Sequence, residues 1–280
     1  MSIAAAGAAL TLTVLTGCGA DGGPEERAFG PAGERITISA ESGDLDVRPA
    51  DVDEIEVTRW FTGWSAIGAR TGADWEFAGD TLALTTDCAP LLLGRCDVRY
   101  EVLVPREVAV TVDGGSGAVS ASGFASALDI TTDNGAIRVE DAADPLSLRS
   151  ASGEQRATGV TSGSVEARSE NGAIRLSLAE APDSVEVEAD NGAVTVEVPE
   201  ADYDVTTATD SGDVRTDVPE DSGSPHTITA RTGNGAISVL TAVQTADRRP
   251  PTADRRPEYP PARRHAVADP HSPHGMDTRS

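Results

Sequence analysis

The sequence predicts an all-β protein, organised as a single-chain β-solenoid of the parallel β-helix type with about 18–20 residues per coil. Three observations predict this fold. A Ser-Gly or Asn-Gly step recurs, apolar and polar residues alternate between the steps, and no stretch beyond the N-terminus shows helical periodicity. From Gly117 onward the glycines of these steps are 18, 18, 19, 20, 20 and 23 residues apart. The steps lie at Ser42-Gly43, Ser116-Gly117, Asn134-Gly135, Ser152-Gly153, Asn171-Gly172, Asn191-Gly192, Ser211-Gly212 and Asn234-Gly235.

A second arrangement, an antiparallel hairpin meander or β-sandwich, also fits the alternation. Asn-Gly is the strongest two-residue hairpin signal, and pairing about Asn191-Gly192 would place Val187 opposite Val196 on one face. The near-constant spacing favours the solenoid, because a meander has less reason to keep its length constant. In a solenoid the steps stack as a column of corners, where Gly and Asn tolerate a tight turn and Asn side chains bond to one another.

Residues 1–17 have the features of a lipoprotein signal peptide. Ile3–Leu15 is an apolar run of 13 residues, which suits a secretory signal but is shorter than the roughly 20 residues that span a bilayer. It leads into Leu15-Thr16-Gly17-Cys18, which resembles a bacterial lipobox, the signal in which the cysteine receives a diacylglycerol. We therefore expect Cys18 to be the lipid attachment, and the protein to be anchored at the cell membrane on its extracytoplasmic face.

Two alternatives to this signal stay open. The segment could be a non-lipidated signal with an incidental cysteine. In addition, no Arg or Lys precedes the apolar run, although such signals normally begin with positive charge. Either the true start lies upstream of Met1 or the signal is weak.

Residues 18–34 have the composition of a linker, and residues 35–105 are predicted to form an irregular N-terminal β region or cap. This region holds most of the large aromatic side chains. An aromatic cluster near one end of a repeat array either seals the thin core from water or offers a surface on which carbohydrate stacks. The cap is the favoured interpretation. The aromatic residues are Trp60, Phe61, Trp64, Trp75, Phe77 and Tyr100.

Cys88 and Cys96 enclose a loop of seven residues. Outside the cytoplasm a close pair usually oxidises, so we predict a structural disulfide between them. Such a bridge would contribute ~2–3 kcal/mol according to the loop-entropy model. A redox-active or metal-binding pair is the alternative, but it lacks both a Cys-x-x-Cys spacing and a nearby His.

Residues 106–243 are predicted to form the solenoid repeats, and residues 244–280 a disordered tail rich in Pro and Arg. The tail is either a solvated segment or an Arg-rich tether for anionic envelope polymer or lipid. The chain has a formal charge of −24, and its 22 basic residues are all Arg. Such a body repels nucleic acids and anionic membrane surfaces and attracts divalent cations or a basic partner, so no nucleic-acid partner is expected.

Residues 35–243 resemble a bacterial family known as putative adhesins, which has no established function. The resemblance rests on Gly79-Asp80-Thr81-Leu82-Ala83-Leu84, on Tyr100–Pro105 and on the serial Ser/Asn-Gly-x-Val/Ile steps. It implies a β-solenoid fold and an extracytoplasmic setting, and it implies no catalytic residues. The lipobox and the Ala-rich, all-Arg composition resemble those of an actinobacterial lipoprotein.

The sequence contains no recognisable catalytic, cofactor or metal site. Three of the four His lie in the predicted tail, and the fourth, His226, follows Pro225 in a turn-like segment. Catalytic triads, zinc-ligand spacings and phosphate-binding loops are absent from the sequence. We therefore expect a non-catalytic binding, adhesin-like or envelope-structural role without a cofactor. The expected partners are the membrane, through the lipid anchor, and an envelope polysaccharide or protein.

Two other functions remain as alternatives. A carbohydrate-active enzyme on a β-helix scaffold would use some of the many carboxylates. A calcium-stabilised surface protein would use Asp residues beside Gly turns, as in Asp210-Ser211-Gly212-Asp213, although Asp is also an ordinary turn former.

Overall fold

The computed structural model describes residues 23–65, 71–88 and 94–242, and every regular element within these ranges is a β-strand. The strands form two sheets. The eleven-stranded sheet contains β1 (Glu25–Phe29), β3 (Asp44–Ala50), β4 (Ile55–Ser65), β7 (Gly94–Pro105), β9 (Val119–Phe124), β11 (Ile137–Ala142), β13 (Gln155–Val160), β15 (Ile174–Leu178), β17 (Val194–Val198), β19 (Val214–Asp217) and β21 (Ile237–Thr241). The ten-stranded sheet contains β2 (Arg35–Ser42), β5 (Thr71–Ala78), β6 (Thr81–Cys88), β8 (Ala109–Ser116), β10 (Leu128–Asn134), β12 (Leu146–Ser152), β14 (Ser164–Asn171), β16 (Ser184–Asn191), β18 (Asp204–Ser211) and β20 (Thr227–Asn234).

A regular coil consists of one strand in the ten-stranded sheet, a Ser/Asn-Gly corner and one strand in the eleven-stranded sheet. Neighbouring coils pair in parallel and in register, so that Val165 lies beside Val185 in one sheet and Ile174 beside Val194 in the other. Because the two halves of a coil belong to different sheets, β16 and β17 do not form a hairpin. The β-solenoid prediction is confirmed, and the hairpin alternative is wrong.

The corners stack so closely that they leave no room for a side chain. A Cβ atom on Gly135 would overlap the backbone carbonyl of Gly117, and one on Gly153 would overlap that of Gly135. Gly153 also has a φ of 148°, which side-chain-bearing residues rarely adopt. Gly172 N donates a hydrogen bond to Asn191 O at 3.0 Å, which links two corners directly. The repeated glycine therefore results from contact between coils, with the backbone angle as an added cause at some corners.

Asparagine side chains bond to one another where three of them are stacked along the corner column. Asn191 Nδ2 donates to Asn171 Oδ1 at 3.3 Å, and Asn234 Nδ2 donates to Asn191 Oδ1 at 3.0 Å. The side-chain ladder expected from the sequence is thus present in these three coils. Ser211 ends it on one side and Ser152 on the other.

The last two coils are stacked out of sequence order. Coil β20–β21, which we call the inserted coil, lies between coil β16–β17 and coil β18–β19, which we call the end coil. The inserted coil buries Ile228 and Ala230 completely, whereas the end coil presents Val205 and Thr207 at partly exposed positions of the same columns. Because a terminal coil is covered on one side only, the more polar coil occupies the end and the more apolar coil the interior.

The first regular coil is β2–β3, whose corner Ser42 lies beside Ser116 of the next coil. This coil lies within residues 35–105, which the sequence analysis predicts to be irregular. Only the insertion that follows the coil departs from the repeat. In that insertion, β6 and β7 pair in parallel with β2 and β3, and β4 and β5 pair antiparallel with β7 and β6. β1, which precedes the first coil, pairs antiparallel with β4 at the edge. The segment boundaries after residues 17, 34, 105 and 243 stay predictions, and segments 1–17 and 244–280 lie outside the described residues.

Candidate functional site

The outer face of the ten-stranded sheet carries a network of ion pairs that crosses four coils. Side chains alternate along a strand, so the residues between the buried aliphatic positions project to the outside. Arg149 Nη2 donates to Glu166 Oε1 at 2.9 Å, while Arg149 Nη1 lies 3.3 Å from both carboxylate oxygens of Asp129. Arg149 therefore connects the coil below it with the coil above it.

Arg168 extends this network by one further coil. Its guanidinium pairs with Glu166, with Glu186 at 3.3 Å and with Glu188 at 3.4 Å. The six side chains of the network are 32–53% exposed, so each pair contributes at most ~1 kcal/mol to stability. The main effect of the network is to hold its two guanidinium groups in fixed positions against the sheet. Because it contains four carboxylates and two guanidinium groups, its net charge is negative.

A column of acidic side chains runs beside the network, one residue before each corner. It is formed by Glu41, Asp133, Glu170, Asp190 and Asp210, which are all exposed. Three of the coils break the column, because they carry Gly115, Ala151 or Gly233 at this position.

Hollows open where the column is broken. The hollow at Ala151 has a volume of about 390 Å³, and Asp133, Glu170, Arg149 and Arg168 line it. Hollows of about 310 Å³ and 260 Å³ lie at Gly115 and Gly233. We call the three hollows and the acidic column together the corner groove. Carboxylates border it on the corner side, and guanidinium groups line its hollows at Ala151 and Gly233, so it attracts cationic groups and offers hydrogen bonds to hydroxyl groups.

The aromatic side chains at the N-terminal end pack on one another and on the core. Phe29 is buried and contacts Trp75 and Phe77, with ring centroids 6.2 Å and 6.0 Å apart. Tyr100 is fully buried, and Phe61 is partly buried against the core.

This packing favours the interpretation of the aromatic cluster as a cap rather than as a surface on which carbohydrate stacks. One face of Trp75 is also occupied, since the Arg59 guanidinium lies 4.2 Å from its ring centroid. Arg99 lies 5.6 Å from the ring of Trp60, and the side chain of Trp64 lies outside the described part.

The structure does not test the roles predicted for the three cysteines. Cys18 lies outside the described residues. Cys88 ends β6 and Cys96 lies within β7, but the side chain of Cys88 is also outside the described part. Lipid attachment and the Cys88–Cys96 disulfide therefore stay predictions.

His226 has a structural position. Its Nδ1 lies 2.7 Å from the carbonyl oxygen of Pro182, and its ring centroid lies 6.0 Å from that of Tyr203. Within residues 23–65, 71–88 and 94–242, no group of three His, Cys, Asp or Glu is placed to hold a metal ion. The same residues include no helix with the length and hydrophobicity of a membrane span.

The Asp residues beside the Gly turns have protein partners in the first coil. Asp44 Oδ1 accepts a hydrogen bond from Ala118 N at 2.9 Å, and Asp46 Oδ1 accepts one from Arg48 Nε at 2.9 Å. These carboxylates act as turn and ion-pair groups, so the calcium alternative gains no support from them.

The sequence analysis did not single out Arg149 and Arg168. Their signal was available, because each lies three residues before a Ser or Asn of the corner column, at an outward position of consecutive coils. Alternation identifies such positions as outward, but it does not reveal which carboxylates a guanidinium will reach.

Comparison with known proteins places the chain in a family. A model of the Toastrack DUF4097 family matches residues 31–247. A comparison with curated proteins finds no match.

Several solved structures are similar to this chain in their backbone fold. A putative adhesin from Bacteroides fragilis has a TM-score of 0.39 and 12% identity, covering 78% of this chain and 97% of its own. A putative cell adhesion protein from Clostridium sporogenes has a TM-score of 0.36 and 11% identity, covering 79% and 100%. A putative lipid binding protein from Parabacteroides distasonis has a TM-score of 0.33 and 11% identity, covering 79% and 97%. At such TM-scores these likenesses carry no conclusion about function. The family match spans most of the chain and all of its regular coils, and the protein belongs to the Toastrack DUF4097 family.

Proposed function

We propose that this protein is a lipid-anchored, extracytoplasmic binding protein with a non-catalytic, adhesin-like or envelope-structural role. The lipobox at Leu15-Thr16-Gly17-Cys18 supports the anchor and the location. The acidic face of the solenoid supports a binding role.

The observation that carries the binding role is the fixed charge pattern of the corner groove. Coils follow one another at ~4.8 Å, so the sheet holds the carboxylates of the acidic column one or two coils apart along one line. A rigid, repetitive surface of this kind fits an extended partner better than a compact one. The net charge favours a partner that carries cationic groups, and the exposed carboxylates and guanidinium groups also provide hydrogen bonds to the hydroxyl groups of an envelope polysaccharide.

The anchor is tested by fractionating cells that express the wild-type chain or Cys18→Ser. We expect the wild-type protein in the membrane fraction and the variant in the soluble extracytoplasmic fraction. A variant that stays with the membranes would rule out Cys18 as the anchor.

The binding role is tested by crosslinking on intact cells, with the double variant Glu170→Gln/Asp190→Gln. Glu200→Gln/Asp202→Gln is the matched control, because it removes the same charge from exposed positions between β17 and β18. We expect a crosslinked partner with the wild-type chain and the control, and a weaker signal with the groove variant. Equal crosslinking in all three proteins would exclude the corner groove as the binding surface.

A further inference from the structure

The inserted coil lies between the end coil, which precedes it in the chain, and coil β16–β17, which is not its neighbour in sequence. On one side Gly192 N donates to Asn234 O and Val194 N to Ala236 O, both at 2.9 Å. On the other side Gly235 N donates to Ser211 O at 2.8 Å and Ile237 N to Asp213 O at 2.9 Å. Coil β16–β17 and the end coil therefore form the two walls of a slot that the inserted coil fills.

Both walls of this slot hold the inserted coil in the same register. Ile228 lies beside Val185 on one wall and beside Val205 on the other. Ile228, Ala230, Ile237 and Val239 are all fully buried there. A slot left empty would expose aliphatic side chains and unpaired strand edges, so its occupation is strongly favoured.

The segment that leads into the slot, residues 218–226, has few buried contacts. Most of its hydrogen bonds go to the turn before β18, such as Asp221 N to Tyr203 O at 2.9 Å and Ser224 Oγ to Asp202 O at 2.7 Å, and His226 Nδ1 lies 2.7 Å from Pro182 O. Most of its residues are exposed, and it contains Pro219 and Pro225. Releasing this segment breaks these hydrogen bonds, whereas an unfilled slot exposes aliphatic side chains and strand edges on both walls.

We propose that two copies of this chain exchange their inserted coils and form a dimer in which each slot holds β20–β21 of the other chain. All contacts of the inserted coil with the slot walls are retained in such an exchange, because only the path of residues 218–226 changes. Exchange of an identical element is a low-cost route to a dimer. The out-of-order stacking favours it, since the end coil precedes the inserted coil in the chain and the slot must be filled last when folding proceeds from the N-terminus.

The proposal is tested by placing one thiol on each of two full-length chains. Glu186→Cys lies on β16 and Thr229→Cys on β20, and these positions are paired in register on the outer face. Neighbouring strands are ~4.8 Å apart, within the Cα distance that a disulfide spans. When equimolar chains are unfolded and refolded together under oxidising conditions, the two thiols meet only if β20 of one chain lies beside β16 of the other.

The control pairs Thr37→Cys with Thr229→Cys, because Thr37 lies on β2, remote from the slot in the same sheet. The native cysteines are common to both mixtures. We expect a disulfide-linked heterodimer several-fold more abundant in the first mixture than in the second on a non-reducing gel. Equal or absent heterodimer in the two mixtures would overturn the proposal.

Discussion

Asn234 Nδ2 donates a hydrogen bond to Asn191 Oδ1 at 3.0 Å, although 43 residues separate the two in the chain. Ser211 lies between them in sequence, yet it is stacked on the far side of Asn234. This contact marks the place where the order of the coils departs from the order of the chain. It also predicts that equivalent residues of coil β16–β17 and of the end coil differ in their contribution to stability.

We predict that Val185→Ala lowers the free energy of unfolding by ~2–3 kcal/mol, whereas Val205→Ala lowers it by ~1 kcal/mol or less. Val185 is buried and lies between two coils, while Val205 occupies the same column but is partly exposed on the end coil. Urea unfolding of both variants, with unchanged m-values, checks this. Equal losses would contradict the terminal position of β18.

We predict that replacing Gln155 with an aliphatic residue stabilises the protein. Gln155 is fully buried at a position where the flanking coils carry Ile137 and Ile174. Its Nε2 donates to Arg168 O at 2.5 Å, but its Oε1 has no hydrogen-bond partner among the described residues. We expect Gln155→Ile to raise the free energy of unfolding by ~1–2 kcal/mol, because it removes an unsatisfied buried oxygen and adds aliphatic contacts.

Denaturant unfolding measures this change. The control is Gln155→Glu, which keeps the size of the side chain but places a carboxyl in the same apolar column, and it should lower stability. A loss of stability in Gln155→Ile would show that the bond to Arg168 O outweighs the unsatisfied oxygen.

The ion pair between Asp51 and Arg106 lets us predict how the pKa of Asp51 responds to a mutation. Arg106 Nε lies 2.5 Å and Nη2 3.2 Å from the two carboxylate oxygens, and this hydrogen-bonded guanidinium holds the pKa of Asp51 below its ordinary value. The folded pKa is therefore lower than the unfolded one. The pair's stabilising effect is present above the unfolded pKa and is lost as the pH falls through the folded pKa.

We expect Arg106→Gln to raise the pKa of Asp51 toward its ordinary value. The carboxyl carbon shift of Asp51, followed by NMR between neutral and acidic pH, measures this pKa in both proteins. An unchanged value in the variant would show that Arg106 does not set it.

The cysteine pair predicts a redox-dependent labelling pattern. If Cys88 and Cys96 are bridged, iodoacetamide will label them in the denatured protein only after reduction. The double variant Cys88→Ser/Cys96→Ser should lose ~2–3 kcal/mol of stability, because its unfolded chain is no longer constrained. Mass spectrometry reads the labelling, and labelling of both cysteines without reduction would contradict the bridge.

The sequence predicts the regular coils well, because two strong local signals coincide in them. In the coil of Val165 and Ile174, alternation places the aliphatic side chains inside, and the glycine step fixes the corner. Such signals are repeated in each coil, so they specify the fold class and the parallel register.

The order of the coils and the charged network are harder to predict. Ile228 and Val205 satisfy the same pattern, and only the number of polar inward residues, such as Thr207, distinguishes an end coil from an interior one. Likewise, Arg168 could reach carboxylates on several strands, and its partners depend on which coils become neighbours. Both features are properties of the assembled stack.

The most direct test of the stacked corner column is the free energy of unfolding of Gly135→Ala. Gly135 does not require a positive φ, so the effect reports only the contact between its added Cβ and the carbonyl of Gly117. Gly30→Ala is the control, because a Cβ there meets no atom within 4 Å. We predict that Gly135→Ala loses ~2–3 kcal/mol or more, while Gly30→Ala stays within ~0.5 kcal/mol of the wild type. Equal stability of the two variants would contradict the stacking of the corners.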